Sequence, residues 1–244
     1  MRARSAIALA FLAVALGAYA LGRVHQERLT ADSAKTSYAE KAEDLIVADI
    51  FWELGLGEVR YLDIGAGDPV DASNTYLFYT RGAQGVLVEP NPVFGPQYAA
   101  LRPRDKVLAV GVGVTDQREA DYHVVEGHWA LNTFDKDVAD EHARAGMKVS
   151  VVKMPLVNIN EIIARNFTTP PNFLSIDIEG LDLAVLESLD FDRYRPAVIC
   201  VETLVVDTQR TDPRIETFLR SKNYSPRGGS FVNTIFVANE LVKR

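Results

Sequence analysis

Residues 61–68 read YLDIGAGD, and residues 86–89 read VLVE. Both stretches contain the short apolar run that is typical of a buried strand, and the first one ends in a glycine turn. This order predicts a strand, a turn, a helix and a second strand, which places a nucleoside ligand over the ends of two parallel strands. Glu89 follows Gly67 by 22 residues and can accept hydrogen bonds from both ribose hydroxyls.

The chemistry of the turn favours a positively charged ligand over a phosphorylated one. After Gly65 and Gly67, the third glycine of a dinucleotide fingerprint is missing, and residues 68–70 read DPV instead. A pyrophosphate would meet the carboxylates of Asp63 and Asp68, which is unfavourable, whereas the sulfonium and ammonium groups of S-adenosylmethionine would be attracted. The alternative is that both aspartates only cap the turn and the helix.

Composition limits the classes of protein to consider. The chain has 244 residues, of which 48% are hydrophobic, and this suits one domain of about 200 residues. A net charge of −7 without a basic stripe predicts that nucleic acid is not a partner. The single cysteine, Cys200, excludes an intrachain disulfide and a cysteine-rich metal site, and its apolar surroundings predict a small buried side chain.

The N-terminal residues 1–22 differ from the rest. Arg2 and Arg4 precede an uncharged run at residues 5–22, whose 18 residues reach the lower limit for a membrane-spanning helix. We expect a single-pass membrane anchor, with the domain on the side supplied with S-adenosylmethionine. The alternatives are a secretory signal, with cleavage after residues 18–20 (AYA) and export of the domain, and a soluble helix.

The organisation that follows is a polar linker at residues 23–42 and one domain at residues 43–244. Strands and helices alternate through this domain, which indicates a doubly wound, mostly parallel sheet. The predicted strands are residues 59–64, 85–89, 106–111, 173–178 and 197–203, then a hairpin of residues 224–227 and 231–238 joined at Gly228 and Gly229. The predicted helices are residues 38–54, 73–81, 92–101, 181–189 and 212–222. Trp52 is predicted on the packed face of the first helix, and Asp182 on a solvated face of the fourth. An insertion contains two alternating strands, residues 120–126 and 148–154, and a helix at residues 135–144.

Five motifs together resemble the FkbM family of S-adenosylmethionine-dependent methyltransferases. They are DIGAGDP at residues 63–69, SNT at 73–75, FY at 78–79, EPNP at 89–92 and IDIEG at 176–180. The resemblance covers about residues 59 to 205. It implies a Rossmann-like class I α/β fold with a seven-stranded sheet, and methyl transfer, usually to an oxygen of a small molecule or sugar.

The resemblance also implies the residues that bind the cofactor. Asp63, Gly65 and Gly67 are expected around the methionine part, and Glu89 on the ribose. Asn74, in the SNT motif, is assigned to the same cofactor site. Proline follows the turn at position 69, where many methyltransferases have a small or polar residue.

A second group of carboxylates ends the later strands. Asp177 and Glu179 point to the same side of an extended strand, at the sheet end where open α/β proteins bind ligands. One of them is a candidate general base, or the pair could hold a divalent cation together with Glu202, which ends the next strand. The alternative for Asp177 and Glu179 is that they only cap the following helix.

His128 lies in a loop that reads EGHWALNT, at residues 126–133. A histidine titrates near neutral pH and is a candidate to remove a hydroxyl proton, and the neighbouring aromatic and amide groups suit a substrate wall. The alternative is that the side chain only faces solvent.

The function predicted from these motifs is S-adenosylmethionine-dependent methylation of an oxygen on a small-molecule or glycan acceptor. A divalent cation is a possible addition. Two rivals remain open: a nicotinamide-dependent oxidoreductase that uses the same strand and turn, and a membrane-tethered binding module that has the fold without the chemistry.

Overall fold

The computed structural model describes residues 36–178, 180–205 and 209–242. The predicted anchor or signal at residues 5–22 lies outside these ranges, as does Glu179. Within the described ranges, no helix combines the length and the apolar character needed to cross a membrane.

The elements follow one another as strands and helices along the described chain. The strands are β1 (Arg60–Ile64), β2 (Gln84–Val88), β3 (Lys106–Leu108), β4 (Gly111–Val112), β5 (Glu119–Val125), β6 (Val149–Val157), β7 (Phe173–Ile176), β8 (Val198–Glu202), β9 (Leu204–Val205), β10 (Arg210–Thr211), β11 (Tyr224–Gly229) and β12 (Asn233–Ala238). The helices are α1 (Glu43–Leu54), α2 (Tyr76–Thr80), α3 (Gly95–Leu101), α4 (Lys136–Arg144), α5 (Ile159–Asn166), α6 (Asp182–Ser188) and α7 (Pro213–Ser221). Short 3-10 turns cover Pro92–Phe94, Trp129–Leu131 and Asn239–Leu241.

The main sheet has seven strands in the order β11-β12-β8-β7-β1-β2-β3. β12 runs antiparallel to β8 and β11, and the other neighbours are parallel. Strands such as β7 and β8 are buried along their whole length, which explains why most of their residues are apolar. The predicted Rossmann-like class, with its mostly parallel sheet and C-terminal hairpin, is confirmed.

Register brings the carboxyl ends of the central strands to one edge of the sheet. Ile64 of β1 pairs with Val88 of β2 and with Ile176 of β7, and Ile176 pairs with Val201 of β8. Ligands of open parallel sheets bind at this edge.

Apolar side chains cover both faces of the sheet. Helices α1, α2 and α3 pack on one face, where Phe51 and Phe78 are buried, and α5, α6 and α7 pack on the other. Cys200 of β8 is fully buried in the first of these layers, as predicted. Burial raises the pKa of its thiol well above the ordinary value.

The predicted insertion forms a separate small sheet in the order β4-β6-β5. β5 and β6 are antiparallel and β4 is parallel to β6. The third predicted strand therefore divides. β3 ends at Leu108, and residues 111–112 leave the main sheet to pair with Leu156 and Val157.

Two details of the prediction were wrong. Trp52 was assigned to the packed face of α1, but it is 82% exposed, while Val47 and Phe51, one turn apart, face the sheet. The hairpin turn lies at residues 230–232 rather than at the two glycines. Gly228 and Gly229 belong to β11, where they pair with Ile235 and Thr234 of β12. Helix α1 passes so close to Gly228 that a Cβ there would lie 2.6 Å from Ile46 Cγ2.

Candidate functional site

A cavity of about 750 Å³ opens at the carboxyl ends of the central strands. Its walls come from the turn after β1, the end of β2, the loop after β7, the small sheet and the start of β12. This volume lies within the range of about 300–1,000 Å³ that is usual for small-molecule sites.

The glycine turn is held against its two neighbouring strands. The backbone N–H groups of Gly65 and Ala66 both donate to the carbonyl of Val88, over 2.9 and 3.3 Å. Gly65 has a φ of +78°, and a Cβ on it would lie 1.8 Å from the carbonyl oxygen of Asp177. Only glycine fits here, because the turn needs both this left-handed backbone and this close approach.

Glu89 ties the end of β2 to the turn. Its carboxylate accepts hydrogen bonds from the N–H of Gly67 (2.8 Å) and the N–H of Asn91 (2.7 Å), and it lines the cavity. Burial raises the pKa of Glu89 to about 7, although these two donors oppose the shift. Each oxygen keeps a lone pair for a further donor, so the carboxylate is placed to bind a diol.

Asp63 lies beneath the turn, and its side chain is not part of the cavity wall formed by the described residues. It is buried and accepts a hydrogen bond from Thr75 Oγ1 over 2.6 Å. Burial raises the pKa of Asp63, while Thr75 and the charge of Arg102 oppose that shift. The structure therefore places this carboxylate where it supports the turn from below.

Asn74 does line the cavity. Its Nδ2 donates to Ser175 Oγ of β7 over 3.1 Å, which links the segment after the turn to the next strand of the sheet. Four of the five residues assigned to the cofactor line the cavity, namely Gly65, Gly67, Asn74 and Glu89. Asp63 is the fifth and is not part of the described wall.

The end of β7 forms the next part of the wall. Asp177 lines the cavity, and its N–H donates to the carbonyl of Ile64. The following loop is shaped by Asp182, whose carboxylate accepts from the N–H groups of Ile178 (3.2 Å) and Gly180 (3.1 Å). Asp182 is 3% exposed, so it is not part of the solvated helix face that the sequence suggested.

The other two candidates for catalysis lie off the cavity. Glu202 is buried at the end of β8, where it pairs in register with Asn233 of β12, and it is not part of the described lining. His128 is exposed, and its backbone begins the 3-10 turn at Trp129–Leu131. The structure thus brings Asp177 to the cavity and keeps these two side chains outside it.

The loop around His128 contributes its neighbours instead. Trp129 lies over the turn, where a Cβ on Gly67 would be 3.6 Å from its ring, and it packs edge-on against Phe94. Asn132 also lines the cavity and accepts from the N–H of Val125 over 2.8 Å. Its buried Nδ2 has no hydrogen-bond partner among the residues described. The sequence predicted that an aromatic and an amide group of this loop would form part of a substrate wall. It did not predict that Trp129 and Asn132, rather than His128, would line the cavity.

The cavity is strongly acidic. Six carboxylate side chains line it, from Glu40, Asp68, Asp71, Glu89, Asp135 and Asp177. Within the described part of the chain, no lysine, arginine or histidine belongs to this wall. A low-dielectric cleft of one charge sign concentrates ligands of the opposite sign and repels anions.

No cluster of three or more histidine, cysteine, aspartate or glutamate side chains suited to a metal ion occurs in residues 36–178, 180–205 and 209–242. Glu179, which was grouped with Asp177 and Glu202 as a possible cation site, is outside those ranges.

Comparison with known proteins identifies the family of this chain. The family model described as "Methyltransferase FkbM domain" matches residues 63–226. No curated protein sequence matches the chain significantly.

Two solved structures are similar to the chain over most of its length. One is the 1,6-didemethyltoxoflavin-N1-methyltransferase of Burkholderia thailandensis with bound 1,6-didemethyltoxoflavin and S-adenosylhomocysteine, at 15% identity and a TM-score of 0.39 over 92% of this chain and 86% of that one. The other is an O-methyltransferase from Bacillus cereus in complex with S-adenosylhomocysteine, at 16% identity and a TM-score of 0.39 over 88% of both chains.

Proposed function

The chain belongs to the FkbM methyltransferase family, and from this premise we propose that it transfers a methyl group from S-adenosylmethionine to a hydroxyl oxygen of a small molecule or sugar. The observation that carries the proposal is the arrangement of Glu89 and the glycine turn at the wall of an acidic cavity. A carboxylate suits the ribose hydroxyls, and the acidic wall suits a cationic donor.

The residues present fit this cofactor. Gly65 and Gly67 line the cavity with backbone atoms only, so a ligand can approach the backbone closely beside the Trp129 ring. Glu89 is already oriented by two backbone donors, and this lowers the cost of ordering it when a ribose binds.

Asp177 is the group that we propose as proton acceptor. It is at the end of the central strand β7, beside the turn, in the cavity wall. S-adenosylmethionine, when bound, supplies an electrophilic methyl group, and the electron pair of its C–S bond passes to sulfur. The acceptor oxygen forms the new C–O bond, and its proton passes to the Asp177 carboxylate. Alignment of the acceptor by the cavity wall supplies the rest of the catalysis.

The other candidates take different places in this proposal. Glu179, which lies outside the described residues, remains a second candidate base. Glu202 and His128 are not in the described wall, so a direct role for either would need a rearrangement of the site. Asp63 supports the turn through Thr75.

The test uses the detergent-solubilised full chain and the variant Asp177→Asn. Radiolabelled methyl transfer to a pool of small-molecule acceptors should fall by about 10²-fold or more, as expected for loss of a general base. Calorimetric affinity for S-adenosylhomocysteine should stay within about threefold, since the amide keeps the shape of the side chain. Asp116→Asn, an exposed aspartate, is the matched control.

Two outcomes would favour the rivals. Tight binding of NADH together with no binding of S-adenosylhomocysteine would point to the oxidoreductase. Binding of S-adenosylhomocysteine without labelled product from any acceptor would point to the non-catalytic module.

A further inference from the structure

Exposed apolar side chains surround the mouth of the cavity. Trp129 and Leu181 belong to its described wall. Val93, in the 3-10 turn after β2, and Phe231, in the turn between β11 and β12, each lie two residues along the chain from a member of that wall. The four side chains are between 40% and 68% exposed, although all are large and apolar. We call these four residues the apolar rim.

The apolar rim lies at one edge of the molecule. Val93 follows the carboxyl end of β2, and Leu181 follows that of β7. Phe231 lies at the same edge, because Asn233 at the start of β12 pairs with the last residue of β8. Trp129 reaches this edge above the glycine turn. Apolar residues exposed singly are ordinary, but a group that converges from separate loops around one opening is typical of a docking surface.

The described chain begins at the same edge. Asp44, fully buried at the start of α1, accepts a hydrogen bond from the N–H of Tyr38 over 2.7 Å. The carbonyl of Tyr38 accepts in turn from the N–H of Ser73, in the segment after the glycine turn. Between this point and the predicted anchor at residues 5–22 lie residues 23–36, which can span at most about 50 Å. Such an anchor would tether the domain by the edge that carries the apolar rim.

The opposite edge of the sheet carries the other tryptophan of the chain. Helix α1 starts beside Asn233 of the cavity wall, and its 12 residues extend about 18 Å away from it. Trp52, near the end of this helix, lines a second cavity with Val59 and Gly82, at the amino ends of β1 and β2. Trp52 and Trp129 are the two tryptophans of the chain, and they mark opposite edges of the sheet.

The charge of the cavity restricts the kind of membrane that suits the apolar rim. Anionic lipids attract basic segments, whereas the six carboxylates of the cavity wall repel anionic head groups. No basic side chain of the described wall compensates for them. Docking would therefore depend on apolar burial, with the aromatic rings at the level of the head groups, where such rings are favoured. The surface that fits is a zwitterionic bilayer.

We propose that the apolar rim docks the mouth of the cavity on the surface of a zwitterionic phospholipid bilayer. The rim side chains enter the boundary between head groups and acyl chains, and the cavity opens toward the lipid. A molecule held in the membrane then enters the cavity without passing through bulk water. The docking is a property of the rim and does not depend on which reaction the cavity catalyses, so the inference goes beyond the proposed methyl transfer.

Tryptophan fluorescence can report which edge meets the bilayer. Trp52→Phe leaves Trp129 as the single tryptophan, and Trp129→Phe leaves Trp52. Each full-length variant is reconstituted into phosphatidylcholine vesicles with and without acyl chains brominated near the head group, since bromine quenches nearby indole rings. Trp129 should lose about half of its emission in brominated lipid, because docking places its ring at the acyl boundary, whereas Trp52 should lose less than about 10%.

Two rim residues outside the described cavity wall test whether the rim itself holds the domain on the lipid. Val93→Ser and Phe231→Ser, combined in the Trp52→Phe chain, should reduce the quenching of Trp129 by at least about twofold. Affinity for S-adenosylhomocysteine should not change. Leu101→Ser is the matched control, because Leu101 is also exposed but ends α3 at the opposite edge, and it should leave the quenching unchanged.

Several results would overturn the docking. They are stronger quenching of Trp52 than of Trp129, equal quenching of both, no quenching of Trp129, or unchanged quenching in the rim variant. Emission of Trp129 that varies with protein concentration but not with bromine would show that a second copy of the chain covers the rim, and would overturn it as well. Failure of the wild-type chain to bind S-adenosylhomocysteine would instead overturn the proposed function.

Discussion

At the scale of single residues, the site depends on groups that are held in unfavourable environments. Glu89 is 7% exposed and has a pKa of about 7, because burial outweighs its two backbone donors. Gly65 has a left-handed backbone and touches the carbonyl of Asp177. Both residues are needed at the point where a ligand must meet the backbone, and both carry a cost that the rest of the fold offsets.

Glu89 makes the ligand-free protein less stable as the pH rises. Its pKa in the folded state, about 7, lies above its ordinary value of 4.5, so its stabilising contribution is complete below the lower value and is lost as the pH rises through the higher one. From about pH 4.5 to pH 7, wild type should lose about 3 kcal/mol relative to Glu89→Gln, which does not titrate. Urea unfolding at several pH values measures this, and parallel profiles for the two proteins would contradict it.

Gly65→Ala should be severely destabilising. The new Cβ meets the Asp177 carbonyl and also has to adopt a φ of +78°, so we expect a loss of about 3 kcal/mol or more in the free energy of unfolding. Gly57→Ala is the control, since Gly57 has a φ of +71° with nothing near its Cβ position. That variant should lose only about 1–2 kcal/mol. Equal losses of stability in the two variants would show that the close approach to the Asp177 carbonyl does not contribute to the destabilisation.

At the scale of elements, a buried arginine connects the end of α3 to the segment after the glycine turn. Arg102 is fully buried and forms an ion pair with Asp105 over 2.7 Å. It also donates to the carbonyl of Pro69, to Ser73 Oγ and to Thr75 Oγ1, over 3.3, 3.1 and 3.0 Å. Thr75 in turn binds Asp63, so one guanidinium determines where this segment lies.

Replacement of Arg102 should remove its ion pair with Asp105 and its hydrogen bonds to the segment after the glycine turn. Arg102→Met leaves the buried carboxylate of Asp105 without its ion-pair partner, and breaking such a pair costs about 3–5 kcal/mol. Chemical denaturation measures the loss. Arg81→Met, on an exposed side chain that follows α2, should change stability by less than about 1 kcal/mol. A similar result for both variants would show that the buried network does not stabilise the fold.

At the scale of the whole molecule, strand order decides what shares the cavity. β12 follows β11 in the chain but inserts between β11 and β8, and this places Asn233 near the edge to which β1, β2 and β7 bring the turn, Glu89 and Asp177. Residues 37–42 also contact this domain: Tyr38 accepts from the N–H of Ser73, and Glu40 lines the cavity.

The N-terminal run provides a prediction for the full chain. If residues 5–22 form the proposed single-pass anchor, the expressed protein should sediment with membranes and resist extraction by high salt and alkaline carbonate. A chain that lacks residues 1–22 should remain in the supernatant and keep its affinity for S-adenosylhomocysteine. Recovery of the intact chain in the supernatant with Met1 retained would contradict the anchor, and a mature N-terminus near residue 21 would support the signal peptide instead.

The fold class, the glycine turn, the position of Glu89 and the family could all be predicted from the sequence. These features depend on local patterns. An apolar run predicts a buried strand wherever that strand lies in the sheet. A carboxylate at the carboxyl end of a strand lies at the ligand-binding edge in any order of parallel strands.

Which polar side chains meet could not be predicted from the sequence and depends on the packing of the folded chain. Asp63 lies inside β1, in register with Ser175 of β7, and is buried under the turn, whereas Asp177 follows the last residue of β7 and lines the cavity. Asn233 gave no signal in the sequence, because its partner Glu43 is 190 residues away and the two meet only through the packing of α1 against the sheet. The reason is that the neighbours of a side chain are brought together by crossovers between distant parts of the chain. The spacing of residues along the sequence therefore does not predict which side chains become neighbours.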